Sequence, residues 1–487
     1  MTTLIGRDRE QARLAELLGE GTRQLVLMYG RRRVGKTYLI TNAWPPDVRL
    51  FYFTAAETTP GQNRATLLDE IARFTGEQLN PADFGTWRNV FRHLVEMDGS
   101  GPLVVVLDEF QYLADGSEGA LREVASQLNA VWEAKRPARQ LVFVLCGSSV
   151  RLLEALNHGG SPLYGRFAWT CRLEPFNYWH AAAMAPFPAL RDRVAMYSVF
   201  GGTPRYLALL RPANPLRDNI ARLFLDREGG VRQLVETALR QEEGVRDHAT
   251  YTAILRAIGA GRTVLNEIKQ GAGIDEGDLT ATRDKIERLI ALGYVRKARN
   301  FGAKRTQPFR YSLADPALGF YYHYVAGLEG PLEQYDPRAV FDERIAPTFD
   351  AYLGHQFEQL VPQAYRRLQP SLGLPMDDEW GRWEGTDRAG QSIEIDIVTR
   401  LTDGRMMTGG IKWSAAPIPA SWHAHHIACL KRLAQAGVGW AHEALAEDAP
   451  ILWVSSGGFH PDFAEAVRAT HRYALFLTLE DLYREAR

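Results

Sequence analysis

Gly30-Arg31-Arg32-Arg33-Val34-Gly35-Lys36-Thr37 fills the spacing G-x-x-x-x-G-K-[ST], and its flanks decide what that spacing means. Upstream, Leu25-Val26-Leu27-Met28-Tyr29 is an uninterrupted apolar run of strand length; downstream, Tyr38-Leu39-Ile40 continues with no breaker before Pro45. A buried strand, a glycine-punctuated loop and a helix in that order present backbone N–H groups at a helix N-terminus, where amides and helix dipole together favour an anion. Glycines at 30 and 35 let the backbone come close to such a ligand. The expectation is a triphosphate site: Arg33, Val34 and Gly35 in the cradle, Lys36 reaching the β- and γ-phosphates as a point charge, and the Thr37 hydroxyl ligating Mg²⁺.

Two further apolar runs support it. Leu103-Val104-Val105-Val106-Leu107 has the continuous, β-branched character of a central parallel strand and ends in Asp108-Glu109. Asp108 is expected to orient Mg²⁺ and Glu109 to polarise the attacking water; the plain alternative is a helix N-cap. Leu141-Val142-Phe143-Val144-Leu145-Cys146 ends in Gly147-Ser148-Ser149, which makes Ser148 or Ser149 a candidate γ-phosphate sensor or, equally, the N-cap of the next helix.

Together with Gly6-Arg7-Asp8-Arg9-Glu10, Ser161-Pro162-Leu163-Tyr164-Gly165-Arg166 and Gly201-Gly202-Thr203-Pro204, these motifs occur in an order that resembles the archaeal-type STAND P-loop ATPases, an AAA-like family. The resemblance implies that the Gly6 to Glu10 segment, with Arg7, lies by the adenine, that Pro204 packs on the nucleotide from a helical lid, and that Arg166 is a charge sensor or arginine finger. From its sequence setting alone, Arg166 equally suits a surface residue or a salt-bridge partner. The relatives often oligomerise on activation, so homo-oligomerisation on ATP binding is an expectation too.

The composition suits a large soluble protein of about three domains: 487 residues, 46% hydrophobic and 24% charged. A formal net charge of −1 excludes a globally basic nucleic-acid coat. Cys146, Cys171 and Cys429 are scattered, so neither a disulfide framework nor a zinc cluster is implied, and a cytoplasmic setting is expected. Met1-Thr2-Thr3-Leu4 leads straight into charges without a signal core. No stretch approaches the roughly 18 apolar residues of a membrane span.

The fold expected is α/β in four parts: an ATPase core over 1–174, a helical lid over 175–248, a winged helix-turn-helix over 249–326, and a C-terminal α/β domain over 327–487. The winged segment reads as helices at Tyr251–Ile258, Val264–Lys269 and Leu279–Leu292, stopped by Gly293. A hairpin of 294–299 and 309–313 follows, with its tip at 302–305. Between Thr250 and Ser312 stand 12 Lys or Arg against 6 Asp or Glu, a local positive field suited to DNA phosphates. Thr280, Thr282, Arg283 and Lys285 fall on the expected recognition helix, and Arg296, Lys297, Arg299, Lys304 and Arg305 on the wing. The alternative is a protein-docking module.

After a Gly- and Pro-rich linker near Gly327 to Pro337, the last 150 or so residues resemble the restriction-endonuclease-like (PD-(D/E)xK) domain often fused to such ATPases. The resemblance implies a metal-dependent site from Glu358 on the helix Ala351–Leu360, Asp396 on the strand 392–398 and Lys412 on the strand 408–413. Gly410 stands where the pattern requires Glu. Either Glu394, Glu379 or Glu384 helps Glu358 and Asp396 hold the metal, or the domain is a decayed nuclease kept for binding. His423, His425 and His426 lack partners at ligand spacing and read as a polar helix start. The leading expectation is an ATP-binding and ATP-hydrolysing switch, with Mg²⁺ as cofactor, acting on DNA or a protein partner. The alternatives are an ATP-gated, metal-dependent DNA nuclease of mobile-element defence and a non-catalytic DNA-binding regulator.

Overall fold

The computed structural model describes residues 4–20, 23–97, 100–134, 140–242, 247–274 and 279–485. Met1-Thr2-Thr3 and residues 275–278, with three of the acidic groups counted above, lie outside the described residues. The chain divides into two units: residues 1–176 with 203–205 and 242–244, and residues 177–202, 206–241 and 245–487. Among the described residues no helix is long and apolar enough to cross a membrane.

In the first unit, β1 (Arg23–Tyr29), β2 (Arg49–Thr54), β3 (Leu103–Asp108), β4 (Leu141–Gly147) and β5 (Trp169–Arg172) form a wholly parallel sheet in the order β2-β3-β4-β1-β5. β3 and β4 are buried along their whole length, which is why they read as unbroken apolar runs rather than alternating ones. The two-residue period is spent on two cores instead. Leu25, Leu27, Val105, Leu107, Phe143 and Leu145 face one, with helices Trp87–Glu96 and Glu118–Ala134. Val26, Met28, Val104, Val106, Val142 and Val144 face the other, with helices Asp8–Gly19 and Lys36–Asn42. Tyr29 pairs with Gly147, and Leu107 with Leu145, so β1, β3 and β4 end side by side, the position where open α/β sheets hold ligands.

The second unit contains a five-stranded sheet of order β12-β11-β10-β9-β8. The hairpin strands β6 (Val295–Ala298) and β7 (Arg310–Leu313) precede it, in antiparallel register from Val295 against Leu313. β8 (Asp377–Thr386), β9 (Ser392–Leu401) and β10 (Met406–Lys412) are antiparallel neighbours; β11 (Ile451–Ser455) and β12 (Ala474–Leu477) add in parallel. The hairpin follows helices His248–Gly259, Leu265–Gly271 and Leu279–Ala291.

Three expectations need correction. The segment expected to be a separate lid contributes Tyr178, Ala182 and Val194 to the same core as Phe357, Tyr365, Leu452 and Leu477 of the C-terminal sheet domain. The Tyr178 hydroxyl donates to the Leu482 carbonyl (2.9 Å), and Arg367 donates to that hydroxyl (2.9 Å). The Gly- and Pro-rich segment is no open linker either: it forms helices Glu329–Gln334 and Pro337–Val340, with Leu332 buried. Pro337 stands in the first turn of its helix, where its missing N–H costs nothing, and Asp336 caps the amides of Arg338 and Ala339. The helix bearing Glu358 also runs further than expected, Ala346–Leu372, through Pro362 and Pro370.

Candidate functional site

The glycine-rich loop leaves β1 with Arg33 at φ 73° and Gly35 at φ 93°, both left-handed, so the backbone folds back on itself over a few residues. For Arg33 that conformation stores on the order of 1 kcal/mol of strain. Gly30 is obligatory for a different reason: a Cβ there would stand 2.3 Å from the Leu173 carbonyl oxygen. Lys36, at the head of its helix, donates to the carbonyls of Gly30 (2.7 Å) and Arg31 (3.0 Å), which holds its ammonium inside the loop. Arg7 supports the loop from behind. It donates to the Val34 carbonyl (3.0 Å) and the Glu174 carbonyl (2.8 Å), lies 4.6 Å from the centroid of the Phe176 ring, and has its pKa lowered by burial against the counter-pull of Glu10. These contacts tie the Gly6 to Glu10 segment to the phosphate loop.

At the end of β3, the Asp108 carboxylate accepts from the Thr37 hydroxyl (3.2 Å), the Tyr52 hydroxyl and the Glu109 amide (2.9 Å). The residues expected to hold Mg²⁺ are therefore already in contact. Glu109 follows at φ 51°, another left-handed non-glycine residue, and one of its carboxylate oxygens takes three donors: Gln111 Nε2 (2.6 Å), Ser148 N (3.0 Å) and Ser148 Oγ (2.8 Å). Of the two serines, Ser148 contacts Glu109, whereas Ser149 stands at the N-cap of Val150–Ala155 without a side-chain capping bond. Pro204 belongs to this unit, and its Cγ lies 3.8 Å from where a Cβ on Gly35 would be. Arg166 pairs with Glu133 at 3.0 Å, both side chains about half exposed, as in the salt-bridge alternative.

Tyr52 and Gln111 were absent from the sequence reading. Tyr52 sits in an apolar strand and looks like core; its hydroxyl, pKa raised above the usual range by burial and then by Asp108, marks it as a polar contact. Gln111 is wholly buried, with its Oε1 lacking a partner among the described residues. The signal available was an amide two residues beyond Asp108-Glu109 in an otherwise apolar stretch.

In the second unit the structure brings Asp396 and Lys412 together (3.7 Å), with the Ile411 amide also donating to Asp396 (2.9 Å). Glu358 lies 3.6 Å from Arg382, and its carboxyl is pushed up to about 7 by burial first and by Asp396 second. Among the described residues no group of three or more His, Cys, Asp or Glu is placed to hold a metal ion. At Gly410 a Cβ would meet the Trp453 ring at 2.6 Å, so the indole occupies the space where a glutamate side chain would begin. The expected polar helix start is also corrected: on Ala420–Gln435, His423 and His426 point inward, hydrogen-bonded to Thr470 (2.7 Å) and Thr408 (3.1 Å), and burial lowers their pKa values to about 4 and about 3.

The basic hairpin is only partly open. Arg283, Lys304, Arg305 and Thr280 are exposed, whereas Thr282 is buried, Lys285 pairs with Asp247 (3.5 Å) and Lys297 with Glu287 (2.6 Å). Arg296 turns to Ser312 (2.9 Å), with its pKa lowered by burial, and Arg299 stacks 3.7 Å from the Phe309 centroid. Strand alternation and pairing with neighbouring helices thus remove about half of the cations expected on the open face. Beyond β6 the chain docks on β8: the Phe301 amide donates to the Arg382 carbonyl (2.8 Å), and Asn300 to the Glu384 carbonyl (2.5 Å).

Residues 4–210 match a family described as an ATPase domain predominantly from Archaea, and residues 321–423 match one described as archaea bacterial proteins of unknown function. The chain is 24% identical over 415 residues to the uncharacterized protein MJECL04 of Methanocaldococcus jannaschii, covering 84% of this chain and 87% of that one. It is also similar to the Walker-type ATPase PABY2304 of Pyrococcus abyssi (22% identity, 66% of this chain and 96% of that one, TM-score 0.44). A third likeness is to the Aeropyrum pernix ORC2 protein (17% identity, 66% and 94%, TM-score 0.44). On the family matches alone, residues 4–210 carry an archaeal-type P-loop ATPase domain and residues 321–423 are similar to a second family.

Proposed function

We propose that this protein is an ATP-hydrolysing molecular switch of the STAND type whose winged and C-terminal parts act on DNA. The observation that carries the ATPase half is the continuous contact chain Thr37–Asp108–Glu109–Ser148 at the ends of the helix Lys36–Asn42 and of β3 and β4, beside Lys36. These residue types fit Mg²⁺-ATP: Thr37 and Asp108 would hold the metal, which supplies charge neutralisation at the phosphates when bound. Lys36 exchanges its loop carbonyls for phosphate oxygens. Glu109, on releasing Ser148, accepts a proton from the attacking water, and Ser148 is then free to donate to the γ-phosphate. Pro204 lies in a three-residue stretch of the nucleotide unit flanked on both sides by residues of the other, which supports its role as the relay of nucleotide state.

Lys36→Ala is expected to abolish binding of fluorescent ATP, and Glu109→Gln to keep binding while lowering turnover by about a hundredfold or more. Unchanged affinity in Lys36→Ala overturns the proposal. The DNA half is supported by exposed Arg283, Lys304 and Arg305 on a segment of three helices and a hairpin. Glutamates at 304 and 305 should weaken duplex binding and flatten its salt dependence. A non-cutting role for the C-terminal domain is supported by the indole at Gly410.

A further inference from the structure

Four of the carboxylates named above as candidate metal ligands, Glu358, Glu384, Glu394 and Asp396, each have a cation of the chain beside them. Arg382 on β8 reaches Glu394 (2.7 Å), Glu384 (3.0 Å) and Glu358 (3.6 Å) with one planar guanidinium. Glu384 also meets Arg310 (3.3 Å), and Asp396 has Lys412 at 3.7 Å and the Ile411 amide. The three acids around Arg382 come from three elements, the helix Ala346–Leu372, β8 and β9, so no local helix or turn rule explains their convergence.

We propose that the Arg382 guanidinium supplies to Glu358, Glu384 and Glu394 the positive charge that a divalent cation would supply in a metal-dependent site, so that this domain is charge-compensated from within and works without a metal. A guanidinium suits the task because its fork of N–H donors satisfies several carboxylate oxygens at once and is never deprotonated in the physiological range. Its place is fixed by the backbone: the Arg382 carbonyl accepts from Phe301 and the Glu384 carbonyl from Asn300, so the root of the basic hairpin holds this part of β8 in register. Phe301 in turn packs edge-on against Trp440. Removal of Arg382 takes the shared counter-charge away from three carboxylates at once, so it should leave a cluster with an affinity for cations rather than an inert one.

The test is Mn²⁺ titration without nucleotide, read by water-proton relaxation and by thermal shift, on the full chain and on Arg382→Gln and Arg382→Lys. Any binding at the phosphate loop is common to all three and drops out of the comparison. Arg382→Gln is expected to gain one Mn²⁺ site, lost again on adding Glu394→Gln, with at least tenfold tighter binding than the unmodified chain; Arg382→Lys should gain less. Two results overturn the proposal: a site in the unmodified chain that Asp396→Ala removes, or a folded Arg382→Gln protein that binds no better than its parent. If Arg382→Gln fails to fold, Arg382→Lys alone decides, since a single ammonium cannot bridge three carboxylates and a gain of less than twofold is then the contrary result.

Discussion

Glu109 shows how one side chain can be both positioned and restrained. Its left-handed backbone costs conformational energy, and the three donors that Gln111 and Ser148 place on one carboxylate oxygen offset that cost. If Gln111 positions the carboxylate, Gln111→Leu should lower kcat about tenfold while leaving the ATP Kd within twofold, a split that separates transition-state from ground-state binding. Equal loss in Kd would assign Gln111 to folding alone. Tyr52→Phe removes one donor from Asp108, with about 1 kcal/mol of stability at stake by urea unfolding; added Mg²⁺-ATP should recover part of it, because a metal held by Asp108 would supply positive charge to its carboxylate.

Among the strands, β10 is the informative one. Its Gly410 pairs in register with Trp453 of β11, and the indole fills the volume above the glycine. Gly410→Glu therefore overpacks the sheet rather than restoring a carboxylate. About 1–3 kcal/mol of destabilisation is expected by chemical unfolding, with no metal-dependent DNA cleavage gained. A cleaving, fully stable Gly410→Glu protein would show that Trp453 swings aside and that the site is dormant rather than closed. The same residue explains the histidines: His423 and His426 lie against the Trp453 ring, apolar surroundings that favour neutral imidazole.

For the molecule as a whole, these buried histidines set the acid response. Their folded pKa values, about 4 and about 3, lie below the unfolded value near 6.5, so the unfolded chain binds more protons and stability is lost as pH falls below about 6.5. Glu358 works the other way. With a folded pKa of about 7 against 4.5, it adds stability as pH falls from about 7 to about 4.5. Two groups oppose one, so the second unit should lose about 2 kcal/mol net between pH 6.5 and pH 4.5. Urea midpoints across that window check this, and His423→Gln with His426→Gln should flatten the curve if the proteins fold.

The parallel sheet, the phosphate loop and the order of its supporting motifs were legible in the chain. A strand buried on both faces must be continuously apolar, and a loop that cradles phosphate must have glycines and a Lys-Thr pair at fixed spacing. Those constraints are local, and local constraints leave local patterns. What sequence could not reach were the partners supplied from elsewhere in the chain. Tyr52 looks like core until its hydroxyl meets Asp108 from the neighbouring strand. Arg382 looks like a surface cation until three elements bring carboxylates to it, and the helix around Tyr178 looks like a lid until it packs against Phe357 and Leu477. Such contacts join different elements and reach across as many as about 300 positions. They carry no periodicity, because only tertiary packing decides which distant side chain arrives to satisfy a buried charge or fill a glycine's space.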